Sequence, residues 1–173
     1  MTSDWNAAPP GFRGIVEALN NREVQYVVIG GLSAILHGAS LPRTLDVDVT
    51  PASDAENKRR LASALRDLDA KLRAPGLEEP FDILVDERMF RGMTTMTFTT
   101  RLGPFDVCFV PDGTGGYEDL VRSAIVIDVA GTPVPVASLE DVIRSKMAAG
   151  REKDAQHLDA LTDAIERRRR GEY

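Results

Sequence analysis

The chain has 173 residues, 43% hydrophobic and 28% charged, with a net charge of -6 and a pI near 5.0. That length fits one domain able to bury a real core, and the acidic balance argues against a dedicated nucleic-acid-binding module while leaving room for a local basic patch. The single cysteine, Cys108, excludes an intramolecular disulfide and suits a reducing cytoplasm, and the expected location is cytoplasmic.

Residues 1–10, with Asp4 and Trp5, read as a flexible lead-in closed by Pro9-Pro10-Gly11, with neither a signal peptide nor a membrane span expected. Phe12, Ile15, Val16 and Leu19 recur at helical spacing and predict a helix over about 12–21. Residues 24–29 form a short β-branched run ending at Gly30-Gly31 and predict a buried strand. A short helix over Leu32–His37, closed by Gly38, follows. Thr44–Thr50 alternates Leu45, Val47 and Val49 with Asp46, Asp48 and Thr50, the pattern of a strand with one apolar and one polar face.

Ser53 or Asp54 is placed to cap a helix whose stripe is Leu61, Ala64, Leu65 and Leu68. Phe81–Val85 is a short candidate strand. Thr94–Thr100 and Phe105–Val110 predict a hairpin turning at Gly103-Pro104, with Cys108 an inert buried hydrophobe. Tyr117–Ser123 reads as a short helix, and Ile125–Val129 with Thr132–Val136 as a second hairpin about Ala130-Gly131. Ser138-Leu139-Glu140-Asp141 resembles a capping box for a helix stopping at Gly150, before a last helix over about 153–169. There is no repeat and no linker, so one α/β (α+β) domain with a single mixed sheet is expected.

Asp46 and Asp48, at i and i+2 of a strand, project together and repel unless a proton or cation intervenes. Mg²⁺ accepts such oxygen ligands and completes its shell with water and phosphate. A solubilising strand edge is the plain alternative for an isolated Asp-x-Asp. Gly30-Gly31 lets backbone N–H groups approach an anion, and Arg43-Thr44 brings a guanidinium beside the acids. A third carboxylate is sought on a neighbouring strand: Asp106 lies in an apolar run, and Asp82 competes with it.

Residues 28–38, then Arg43-Thr44-Leu45-Asp46-Val47-Asp48, resemble the opening motif of the polymerase-beta-type nucleotidyltransferase superfamily. The nearest likeness is to the branch containing the AbiEii and MenT toxins. The stretch 136–146 and Gly150-Arg151-Glu152-Lys153-Asp154 agree, and the resemblance covers about residues 24–160. It implies a nucleotidyltransferase-type sheet flanked by helices, and Mg²⁺ or Mn²⁺ held by Asp46, Asp48 and Asp106, the last base-like. It further implies NTP (ATP among the candidates) bound by Gly30, Gly31, Ser33, Arg43, Thr44 and Lys146, with Asp154 a further catalytic acid. Gly30-Gly31 departs from the Gly-Ser of many members.

The resemblance makes the tRNA 3′ end the first acceptor to test, within a toxin–antitoxin pair that would include a cognate antitoxin protein. An aminoglycoside-type antibiotic nucleotidyltransferase is the second reading and predicts an acidic pocket. A non-catalytic nucleotide-binding partner protein is the third. His37 reads as a capping or packed histidine, His157 as a helix-edge residue, and Tyr117 as helix packing. Arg167–Arg170 reads as a solvated helix end, with an RNA grip as the alternative.

Overall fold

The structure, a computed structural model, describes residues 8–172, apart from the side chains of Lys153 and Gln156. Asp4, Trp5 and most of the expected lead-in therefore lie outside the described residues. Ala8, where the description begins, is 7% exposed and packs on the core.

Helix α1 (Phe12–Asn21) buries Phe12, Ile15, Val16 and Leu19, the residues that set its period. Strand β1 (Tyr26–Val28) leads into α2 (Gly30–Leu36), which starts at the glycine pair rather than after it. Strand β2 spans Val47–Pro51 and α3 spans Ala55–Asp67, capped by Asp54, whose carboxylate accepts from the Asn57 N–H. Its stripe of Leu61, Ala64 and Leu65 is fully buried, as is Leu68 just beyond its end. Strands β3 (Lys71–Arg73), β4 (Thr95–Thr100) and β5 (Gly103–Cys108) follow, with a 3-10 turn at Glu87–Phe90 between the first two. The chain then forms α4 (Tyr117–Leu120), the hairpin β6 (Ile125–Val129) and β7 (Thr132–Val136), α5 (Leu139–Ala149) and α6 (Glu152–Arg170).

The seven strands make one mixed sheet in the order β3-β4-β5-β2-β1-β7-β6. Strand β1 runs antiparallel to β2 and parallel to β7, while β2 runs parallel to β5. One core gathers α1, α3 and apolar residues of the sheet; the other joins Val27 to α4, α5 and α6. Burial of these two apolar layers is the main term holding helices to sheet. Because β1 and β2 are antiparallel, the end of β1 lies beside the start of β2. Parallel pairing of β7 with β1 brings the start of α5 to the same edge, since the Ala137 N–H donates to the Val28 carbonyl at 2.9 Å.

Three local expectations are corrected. The β4–β5 turn is Arg101-Leu102, because Gly103 and Pro104 already pair with Thr100 and Thr99; proline fits there as a strand-opening residue that needs no donor. The run 81–85 is not a strand: only Phe81 pairs, as an isolated bridge to Leu72, and the strand is Lys71–Arg73 on that edge. Finally, Leu45 is 67% exposed while Thr50 is fully buried, so the expected alternation holds only over Val47–Val49.

Candidate active site

Parallel pairing sets Asp48 opposite Asp106, with Val47 opposite Phe105 and Val49 opposite Val107. The valines and Phe105 are fully buried, so the two aspartates emerge together on the other face. Asp46 lies just before β2 and is exposed. All three line one cleft of about 680 Å³. Gly30, Gly31, Arg43, Thr44, Lys146 and Asp154 line it too.

Asp82 is elsewhere, its side chain 86% exposed and 3.4 Å from Lys71. Of the two competitors for a third carboxylate, only Asp106 stands beside Asp48. Ser33 does not reach the cleft. It is fully buried and its hydroxyl donates to the Ala137 carbonyl at 2.8 Å, because α2 turns that face into the sheet.

Gly30 has φ +68, a left-handed conformation that favours glycine. A Cβ there would stand 3.0 Å from Asp48 Oδ2, so the missing side chain lets the backbone close on the carboxylate. Beside it, Asp106 Oδ1 is buried without a hydrogen-bond partner. Burial pushes the Asp106 carboxyl up and the charge of Asp46 adds to this, while a Thr97 hydrogen bond and Arg73 act the other way. A buried carboxylate oxygen with no donor is costly and calls for a proton or a cation.

These are hard oxygen donors, the chemistry Mg²⁺ or Mn²⁺ takes. Among the described residues no group of three or more His, Cys, Asp or Glu side chains is arranged to hold a metal ion by itself. Asp48 and Asp106, with Asp46 in the same cleft, would leave most of a cation's shell to waters and substrate phosphates.

In the same cleft, Lys146 Nζ donates to Asp154 Oδ1 at 2.7 Å, and Arg151 Nε to Oδ2 at 2.6 Å. Ser138 caps α5 through the Asp141 N–H, and Gly150 ends it in a left-handed conformation. Burial pushes the Asp154 carboxyl up, but hydrogen bonds and charge from Lys146 and Arg151 more than reverse this and hold it below the usual range.

Sequence reading did not single out Arg151, and it set aside two further residues of the cleft wall. Cys108 is half-buried rather than buried, because it shares the face of Asp106 two residues along β5, and it lines the cleft. His157 lines it as well. Strand alternation from Asp106 already contained the signal for Cys108; only the packing of α6 reveals His157 and Arg151. His37 packs as expected, its Nε2 2.8 Å from the Ala137 carbonyl. Tyr117 is partly buried against the second core. The arginine run is ion-paired at Arg167–Asp163 and Arg170–Glu166, and Arg168 contacts His37. No helix among the described residues is long and apolar enough to cross a membrane.

Several solved structures share this fold. A Thermotoga maritima protein assigned as a nucleotidyltransferase aligns over 88% of this chain and 90% of its own, at 21% identity and TM-score 0.54. The antibiotic-resistance factor ANT(2'')-Ia aligns over 90% and 82%, at 14% identity and TM-score 0.59. The lincosamide antibiotic adenylyltransferase LnuA aligns over 89% and 96%, at 16% identity and TM-score 0.58. At such identities the likeness is one of fold. No curated protein sequence matches the chain. Residues 14–164, nearly the whole described chain, match the family described as nucleotidyltransferase of unknown function (DUF6036), and the protein belongs to that family of nucleotidyltransferases.

Proposed function

We propose that the cleft transfers a nucleotidyl group from an NTP to an acceptor hydroxyl with Mg²⁺ or Mn²⁺. The observation that carries this reading is the pairing of Asp48 with Asp106 beside the side-chain-free Gly30. Asp46, Asp48 and Asp106 would hold the cation. When bound, it would neutralise charge on the α-phosphate and on the leaving pyrophosphate.

Gly30 and Gly31 offer close backbone approach to the phosphates. Arg43 and Thr44 line the cleft with the acids, and Lys146, also in its lining, supplies positive charge. The acceptor oxygen attacks the α-phosphorus, the bond to the β-phosphate oxygen breaks, and pyrophosphate departs. Asp106, its carboxyl made more basic by burial, takes the hydroxyl proton. The chain thus contributes mainly positioning and charge.

The acceptor has two readings. The likeness to the AbiEii and MenT branch supports the tRNA 3′ end, with a cognate antitoxin as partner. A small cationic polyhydroxyl compound of aminoglycoside type is supported by the cleft itself, which six aspartates line against Arg43, Lys146 and Arg151. The ion pairs in Arg167–Arg170 also leave less charge for an RNA backbone.

Purified protein incubated with each labelled NTP, Mg²⁺ and either total tRNA or an aminoglycoside panel decides between them. Labelled RNA supports the first, and label confined to the small compound supports the second. NTP binding with no transfer to any acceptor would point to a non-catalytic nucleotide-binding partner and overturn the transferase reading.

A further inference from the structure

Asp154 belongs to the cleft but is 1% exposed. Each of its oxygens is engaged by a cation, Lys146 on Oδ1 and Arg151 on Oδ2. The Lys146 side chain is itself only 10% exposed, whereas that of Arg151 is 59% exposed. A carboxylate so enclosed is poorly placed to receive a proton from an acceptor hydroxyl or to enter a cation shell.

Its effect on the two cations is direct. A nearly buried ammonium needs a counter-charge close by; Asp154 Oδ1, 2.7 Å from Nζ, supplies it and fixes the side chain in place. The three groups together carry one net positive charge in the cleft that Asp46, Asp48 and Asp106 also line. The backbone supports this placement: Gly150, at φ +61, ends α5 and turns the chain so that Arg151 and Asp154 open α6 against the last turn of α5. Lys146 lies in that last turn.

We infer that Asp154 is a positioning residue: it fixes Lys146 and Arg151 as a paired cationic wall that receives the NTP polyphosphate, and it takes no part in the bond changes. The inference rests on the nucleotide reading of the cleft. It replaces the catalytic role that the sequence resemblance implied for Asp154, and it adds Arg151 to the nucleotide-binding set.

The test measures calorimetric binding of Mg-ATP, Mg-GTP, Mg-CTP and Mg-UTP to wild type, D154N, K146M, R151Q and the K146M/D154N double variant. Circular dichroism checks each fold. With the NTP that wild type binds best, D154N and K146M should each weaken binding on the order of tenfold. The double variant should lose much less relative to K146M than D154N loses relative to wild type, the small remainder passing through Arg151. R151Q, at an exposed position that tolerates change, should weaken binding by a smaller factor and raise KM with kcat little altered.

D154N binding as tightly as wild type, or losing as much in the K146M background as alone, overturns the positioning role and leaves the nucleotide reading intact. Loss of transfer in D154N at unchanged affinity also overturns it, by placing Asp154 in the chemical step. Failure of wild type to bind any of the four nucleotides overturns both.

Discussion

Asp48 and Asp106 are direct partners across the parallel strands β2 and β5, and both line the same cleft. Neighbouring strands stand about 4.8 Å apart, so two like charges are held together by the main-chain ladder. The fold meets such crowding partly by pushing the Asp106 carboxyl up through burial, to which the charge of Asp46 adds. A divalent cation would meet it better.

Asp48→Ala is therefore expected to lower transfer by a factor on the order of 10² to 10³ or more, with the circular dichroism spectrum unchanged. Removing metal with EDTA should abolish transfer in the wild type, and added Mg²⁺ or Mn²⁺ should restore it. A variant that keeps wild-type turnover would remove Asp48 from the metal site.

Gly30→Ala should destabilise the fold by about 1–2 kcal/mol, the cost of a side chain in left-handed backbone, and should depress activity further because the new Cβ crowds Asp48 Oδ2. Gly31→Ala meets no atom within 4 Å and should change stability by less than about 0.5 kcal/mol. Urea denaturation of the two variants checks the contrast.

Ser33→Ala removes a buried hydrogen bond to the Ala137 carbonyl, which still accepts from His37 Nε2. The expected cost is about 1 kcal/mol, read as a lower urea midpoint. Nucleotide affinity should not change; a large loss of affinity would return Ser33 to the binding site.

Asp154 gives a pH signature. Its carboxyl sits below the ordinary value in the folded protein, so between that depressed value and the ordinary one the unfolded chain binds more protons. Its contribution is full above the unfolded pKa, near 4, and fades as pH falls through the folded pKa. Acid titration of stability should show this loss in wild type and a shallower dependence in Asp154→Asn.

Local chemistry made several elements legible. The hairpin β6–β7 was readable because Ala130-Gly131, at φ +50 and +87, forms the two-residue turn with both central residues left-handed. Helix α5 was bounded by its Ser138 cap and its Gly150 stop, both within a few residues of the ends they define. Strand β3 was not readable: Lys71–Arg73 is short, largely exposed and paired on one side only in the sheet, so no apolar alternation marks it.

The sequence by itself placed Asp46 and Asp48 two residues apart behind a glycine pair, because short spacing and the absence of a Cβ are local properties, although only Asp48 proves to lie within the strand. It also contained a likeness to nucleotidyltransferases, and the match over residues 14–164 grounds that much of it. Which third acid joins them was decided only when β2 paired with β5, since alternation tells which face a residue takes but not which strand lies next to it. Long-range packing likewise turned Ser33 inward, its hydroxyl donating to the Ala137 carbonyl far along the chain. Contacts between residues far apart in the chain leave no local period, and tertiary structure alone assigns them.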